Sequence, residues 1–280
     1  MTSAKPITVA SYNMRKAIGT DRRRNPLRVL QVLGEIDADV VALQEADKRV
    51  GTRGSAVPHG LIDDHGFYRA VNFNVTHRKF LDGFVDLIPD HPLVAPLKRL
   101  DFRNLGWHGN AILVKADVEI IDYEAIELPM IEPRGAVMAE LKVRGADLRV
   151  IGMHLDLSGL RRRQQVLKIL AHIEQRHSVM PTIVMGDTNE WRLRGKSLAE
   201  FDERFEIAKC GPSFHSRRPV AELDRIIVDR RFHILEAGVH SSEAALKASD
   251  HLPIWARVSP RSSAADAVGS TSRSPSLRDI

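Results

Sequence analysis

The chain has 280 residues, 43% of them hydrophobic and 28% charged, a balance that belongs to a globular protein and excludes a wholly disordered one. Its formal charge of +5 fits a polyanionic or phosphate-bearing partner without requiring one. The single cysteine, Cys210, excludes an internal disulfide and suits a reducing compartment. Met1 to Lys5 is polar, and Ile7 to Ala10 is too short for the apolar core of a signal peptide. No apolar stretch is long enough to span a membrane, so a cytoplasmic location is expected.

In chain order, Ile7 to Asn13 reads as a strand that ends in Asn13, Arg15 and Lys16. A basic turn, Asp21-Arg22-Arg23-Arg24, precedes a helix opened by Pro26, with Leu27, Leu30, Leu33 and Ile36 at helical spacing. Asp39 to Leu43 is a second buried strand, with Gln44 and Glu45 at its end. Strand, helix, strand predicts a parallel pair with a right-handed crossover. Residues 46 to 66 read as a loop on the site side, and Phe67 to Phe73 as a strand. From Asn74 to His108 the pattern is irregular, an insertion or long loop. Segments of that kind often carry function.

The strand signal resumes at Gly109 to Val114. Val118 to Leu128 alternates, but slips phase at Tyr123. Gly135 to Leu141 and Leu148 to Gly152 are joined by a turn at Arg144-Gly145, which suggests an antiparallel hairpin, and the second strand runs into His154. Leu160 to His177 is the clearest helix, with an apolar stripe of Val166, Ile169, Leu170 and Ile173. Arg161-Arg162-Arg163 in its first turn read as a solvated face in preference to a phosphate contact. Thr182 to Met185 is then stopped by Gly186, and Asp187, Asn189 and Glu190 follow. Ser197 to Phe201 reads as a short helix. Leu223 to Val228, Phe232 to Val239 and Ile254 to Val258 read as strands, the last preceded by Ser249-Asp250-His251. From Pro260 the chain is polar and reads as a disordered tail, leaving one domain over residues 1–259. This many strands and this few helices fit two mixed β-sheets packed face to face, with helices outside.

Polar residues cluster where these apolar runs end: Asn13, Glu45, Asn110, His154, Asp187 with Asn189, Asp224, and Asp250 with His251. Each alone has a structural explanation as a cap, a turn residue or a satisfied core group. Together they suit metal-assisted phosphoester hydrolysis. Hard oxygen ligands such as Glu45, without thiols or a paired-histidine helix, favour Mg2+ or Mn2+ over zinc. Asp187 is suited to orient or deprotonate a water. His251 would hydrogen-bond the phosphate, with Asp224 and Asp250 both available to orient it.

Asn13 after the first strand, Leu43-Gln44-Glu45, Gly152-Met153-His154-Leu155, Gly186-Asp187-Thr188-Asn189, Leu223-Asp224 and Ser249-Asp250-His251-Leu252-Pro253-Ile254 occur in this order. Over residues 7 to 258 this series resembles the endonuclease/exonuclease/phosphatase superfamily, with the DNase I-like fold. The resemblance implies a four-layered α/β sandwich with its site where the loops of the two sheets meet. It implies Glu45 as main metal ligand with Asn13 beside it, and Asp250 as a further metal-side carboxylate. It implies Asp187 as the residue that positions water, with Asn189 beside it contacting phosphate or metal. His251 matches the phosphate-binding histidine, Asp224 its orienter, and His154 the second histidine of some branches. Arg134 resembles a phosphate-contacting arginine, for which its planar fork is suited, and Asn110 joins it as a phosphate-side residue. The chain departs from abasic-site endonucleases, which usually lack a histidine at the position of His154 and carry a tryptophan near Met14.

The expected activity is a metal-dependent phosphodiester hydrolase, most simply an endo- or exonuclease acting as a monomer on nucleic acid. The basic clusters at Arg22 to Arg24, Arg161 to Arg163 and Arg192, Arg194 and Lys196 are available to phosphates. The alternative is a phosphatase or phosphodiesterase for a phospholipid headgroup, inositol phosphate or small nucleotide. For a lipid, Phe80 to Val85 is the candidate membrane-facing hairpin. A non-catalytic binding protein is the remaining reading, and it predicts a missing ligand or base where every position is filled.

Overall fold

The computed structural model describes residues 5–47, 54–73, 106–129, 134–192, 195–201 and 204–261. The expected Phe80 to Val85 hairpin, most of the 74–108 insertion, Arg194 and the tail beyond Arg261 lie outside the described residues. Among the described residues twelve strands form two sheets. They are β1 (Ile7–Asn13), β2 (Val40–Gln44), β3 (Tyr68–Ala70), β4 (Ala111–Lys115), β5 (Glu119–Ile126), β6 (Ala136–Val143), β7 (Ala146–His154), β8 (Thr182–Asp187), β9 (Phe205–Ile207), β10 (Asp224–Asp229), β11 (Phe232–Val239) and β12 (Ile254–Pro260). The first sheet runs β11-β12-β1-β2-β4-β3 and the second β5-β6-β7-β8-β10-β9. Both are mixed: β1 and β2 are parallel, as are β7 and β8, and their other pairings are antiparallel.

Among the described residues the α-helices are α1 (Pro26–Ile36), α2 (His59–His65), α3 (Gly159–Gln175) and α4 (Glu243–Ala248). In α1 the Asn25 side chain accepts from the Arg28 amide and Pro26 opens the first turn, a start that leaves few orphan donors. Its buried face is Val29, Leu30, Val32 and Leu33, whereas Leu27 is 54% exposed. The apolar stripe is therefore rotated from the one read off the sequence. In α3, Val166, Ile169 and Ile173 face the core as expected.

Three apolar layers follow from strand alternation. Residues such as Val9, Val40, Ala42, Val137, Val150, Ile183, Met185, Ile226 and Ile254 point between the sheets and form one shared core. Tyr12, Val41, Leu43 and Leu113 point the other way, onto α1 and α4. Met138, Ile151, Met153, Val184 and Ile227 point onto α3. The order helix, sheet, sheet, helix is the four-layered α/β sandwich expected. Each buried Val, Ile, Leu or Met contributes about 1.5–3 kcal/mol relative to exposure.

The phase slip at Tyr123 is a register shift of β5 against β6, between Ile120 and Asp122, the strand irregularity that a broken alternation signals. Among the described elements, α2 within the expected loop, β9, α4 and the 3-10 turn at Arg15–Ala17 were not read from the sequence. Among the described residues no helix is long and apolar enough to cross a membrane.

Candidate active site

The inward-facing row of each central strand ends in a polar residue. Ile183 and Met185 lead to Asp187 on β8, and Leu148 and Val150 lead to His154 on β7. Val228 and Ile226 lead back to Asp224 on β10, and Ile7, Val9 and Ser11 lead to Asn13 on β1. The register aligns them. His154 pairs with Asp187 across the parallel β7–β8 ladder, and Asp224 pairs with Asp187 across the antiparallel β8–β10 ladder. The three side chains thus form one transverse row at the rim of the inter-sheet core. In the first sheet Asn13 pairs with Gln44, one residue before Glu45. Because β12 is antiparallel to β1, the preceding segment, Asp250-His251, arrives at the same end. The Ser249 hydroxyl donates to the Asn13 carbonyl (2.7 Å) and fixes that segment.

Asp187 is the hub. Its Oδ2 accepts from Asn13 Nδ2 at 2.9 Å, across the two sheets. The same oxygen lies 3.4 Å from His154 Nε2 and 3.9 Å from His251 Nε2. Its Oδ1 accepts from the Asn189 amide (2.9 Å). Asn189 sits in the left-handed region (φ 49°) and donates its Nδ2 to the Leu155 carbonyl. The carboxylate is buried yet held from several directions, which fixes its orientation.

The two histidines differ in charge. His251 Nδ1 lies 2.9 Å from Asp224 Oδ2. Burial opposes its charge, but the carboxylates of Asp224, Asp187 and Asp250 outweigh that effect and raise its pKa to about 10. It is therefore a cation at neutral pH, with Nδ1–H committed to Asp224 and Nε2–H directed at the Asp187 side. The orienter is Asp224, while Asp250 pairs with Arg15 Nε (3.2 Å). For His154, burial prevails over the attraction of Asp187 and lowers the pKa to about 4. Arg134 Nη1 lies 2.6 Å from its Nε2, so the neutral ring accepts there from the guanidinium. Arg134 also donates to the Leu155 carbonyl.

Glu45, Asn13 and Asp250 make a set of hard oxygen donors, the chemistry that Mg2+ or Mn2+ prefers. Lys16 Nζ pairs with Glu45 and Arg15 Nε with Asp250. Asn13 Oδ1 accepts from the Arg15 amide. The Glu45 and Asp250 carboxylates are partly exposed and face positive charge, donor chemistry that suits a divalent cation. Asp187, Asp224 and His251 also have ligand atoms within 4.8 Å of one another. There the His251 Nδ1 proton is spent on Asp224, which makes that trio a hydrogen-bonded chain before it is a metal cage. Asn110 is buried, donates Nδ2 to the Gly135 carbonyl, and leaves Oδ1 unpartnered. All ten residues singled out in the sequence converge on this rim.

Sequence reasoning gave no role to Lys16, Arg15, Ser213 or Phe214. Ser213 Oγ donates to Asp224 Oδ2, and the Phe214 ring lies 4.9 Å from that of His251. The signal for Lys16 was present, since a lysine three residues after the strand-end Asn13 had no partner assigned. The solvated-face reading of Arg161 to Arg163 needs correction at its centre. Arg162 is buried, donates to the Leu157 carbonyl (2.6 Å) and meets Glu190 Oε2 at 3.1 Å. It ties the loop after β7 to the loop after β8, and unpaired Glu190 in the motif was its cue.

The family model described as Endonuclease/Exonuclease/phosphatase family matches residues 10–251. The uncharacterized protein YbhP of Escherichia coli K12 is 29% identical over 131 residues, which is 44% of this chain and 52% of that protein. The aligned stretch thus spans about half the length of that curated relative. Among solved structures, an endonuclease/exonuclease/phosphatase from Bacteroides vulgatus superposes with a TM-score of 0.66 at 18% identity, covering 92% of this chain and 100% of that one. D. rerio TDP2 complexed with a single-strand DNA product superposes at 0.63 and 15% identity, covering 91% and 99%. At such identities the structural likeness speaks to the fold.

Proposed function

The chain belongs to the endonuclease/exonuclease/phosphatase family, and on that premise we propose that it is a Mg2+- or Mn2+-dependent phosphodiesterase that cleaves nucleic acid. The observation that carries the reading is the row His154–Asp187–Asp224, capped by a cationic His251. Glu45, Asn13 and Asp250 would hold the metal, which supplies Lewis-acid stabilisation of charge on the phosphoryl and leaving oxygens. Asp187 accepts a proton from the attacking water and holds its lone pair in line with phosphorus. Asn13 keeps Asp187 Oδ2 turned toward that water. His251 Nε2 donates to a phosphoryl oxygen as its negative charge grows, and Asp224 keeps the ring charged and oriented. Arg134, Asn110 and Asn189 line the phosphate side, and the neutral His154 holds Arg134 in place.

The nucleic-acid choice is supported by the +5 charge and by the fold shared with D. rerio TDP2, which was crystallised with single-strand DNA product. The alternative, a phosphate ester of a lipid, is favoured by one observation: Leu157 and Leu160, next to the site, are 65% and 68% exposed.

With Mg2+ the purified protein is expected to nick plasmid or degrade single-stranded DNA, and a chelator should abolish this. Asp187→Ala and His251→Ala should each lower kcat by about 100-fold or more. Undiminished cleavage in either variant refutes the mechanism. Phosphate release from phospholipid or inositol phosphates, with DNA left intact, refutes the substrate.

A further inference from the structure

An aromatic line leads from the reacting centre to the surface. The His251 ring lies 4.9 Å from Phe214, and Phe214 lies 6.0 Å from Trp191 in an edge-to-face contact. Phe214 is held on both sides of its loop. It exchanges backbone hydrogen bonds with Ala221, while Leu252 N donates to the Ser213 carbonyl and Ser216 N to the Asp250 carbonyl. The loop is therefore stitched to the segment that carries His251. Trp191 lies two residues beyond Asn189, in a loop pinned to the β10 entrance by Thr188, which donates through Oγ1 to the Leu223 carbonyl (2.7 Å). With 63% of its surface exposed, Trp191 is not a core residue. A scattered exposed apolar side chain needs no explanation, but this one is a large ring at the end of an ordered aromatic path from the phosphate-binding histidine.

Its surroundings are cationic. Arg192 and Lys196 follow it in the same loop, and Arg217 and Arg218 lie at the tip of the turn between Phe214 and Ala221, where Arg217 Nη2 donates to the Thr20 carbonyl (3.0 Å). All four are exposed, and none pairs with a carboxylate among the described residues. An exposed indole with cations free of carboxylate partners in its own loop and in the turn of its neighbour Phe214 suits a flat, uncharged ring borne on a polyanionic chain. An acyl chain would meet the same indole but make no use of the cations in these two loops.

We propose that Trp191, backed by Phe214, is a stacking platform for an unpaired nucleobase of the substrate, one or two nucleotides from the phosphate at His251. Arg192, Lys196, Arg217 and Arg218 would receive the neighbouring phosphates. The inference rests on the nucleic-acid reading above and specifies its single-stranded character. Trp191 acts on binding and touches no reacting atom.

The test is binding, measured by fluorescence anisotropy in an Asp187→Asn background with Mg2+, so that the ligand survives. One labelled ligand is a short single-stranded DNA. The other is an abasic sugar-phosphate chain of equal length and charge. Trp191→Ala is expected to weaken binding of the base-bearing chain about tenfold, to change binding of the abasic chain by less than about twofold, and to leave the Tm unaltered, because the side chain is exposed. Trp191→Phe should recover most of the affinity, since a phenyl ring still stacks. Equal loss on both chains, or loss on neither, overturns the platform. So does Trp191-dependent binding to phosphatidylcholine vesicles without discrimination between the two DNA chains. If base-dependent binding needs Trp191 but wild type cleaves no nucleic acid, the platform stands and the nuclease reading falls. If wild type cleaves and Trp191→Ala binds both chains normally, the reverse holds.

Discussion

His154 and His251 have the same side chain and share Asp187 as a neighbour, yet one is neutral and the other cationic at neutral pH. The difference lies in their second contacts. His251 faces Asp224, and His154 faces Arg134. The sequence supplied both histidines but left two orienters open for His251. The choice depends on the register of β8 against β10, a long-range pairing that no local pattern encodes. The charge states predict a pH dependence of stability in metal-free buffer. The folded pKa of His251, about 10, lies above its ordinary 6.5. Its contribution is complete below pH 6.5, and it is lost as pH rises through 10, because the unfolded chain releases a proton the native state keeps. The folded pKa of His154, about 4, lies below 6.5. Its contribution is present above pH 6.5 and lost as pH falls through 4, because the unfolded chain then binds a proton the native state refuses. Thermal unfolding across pH should therefore show a shallower alkaline fall in His251→Gln and a shallower acid fall in His154→Gln. Parallel curves for wild type and variants would refute these charge states.

The central strands were legible because both of their faces are buried, which writes a near-continuous apolar run. Short helices write much less. In α4 only Ala245 and Ala248 are buried, and alanine leaves no apolar period to read. In α2 only His59 and Ile62 are buried. Arg162 was misread for a related reason: its role depends on a contact with Glu190, 28 residues away. At the end of β8, Gly186 shows how an element constrains chemistry. A Cβ there would stand 1.8 Å from the Met153 carbonyl oxygen on β7, so the parallel ladder admits no side chain. Gly186→Ala must push β8 from β7 at the residue before Asp187. Urea titration should report a loss of about 1–3 kcal/mol. Cleavage by the remaining folded protein should fall well beyond the fraction unfolded, because Asp187 shifts against His251. Activity in proportion to the folded fraction would mean that the ladder does not position the carboxylate.

Two sheets packed face to face produce a core whose upper edge is open, and the polar rim occupies that edge. The second sheet contributes His154, Asp187 and Asp224, and the first contributes Asn13 and Glu45, so neither sheet alone holds the site. The loops beyond that rim carry the cations that a basic chain has to spare. This distribution separates two contributions to binding. Phosphate contacts release counterions, so the affinity for single-stranded DNA should fall with salt with a log–log slope of about −0.7 per contact. Contacts from Arg192, Lys196, Arg217 and Arg218 together give a slope near about −3. Stacking on Trp191 releases no counterions. Trp191→Ala should therefore lower the whole line without changing its slope, whereas Arg217→Ala should flatten it by about 0.7. A titration series from low to physiological salt on wild type and both variants makes the measurement. If Trp191→Ala flattened the line as Arg217→Ala does, the indole would be holding a phosphate-binding loop in shape and would not be meeting a base. The recognition surface would then be electrostatic throughout.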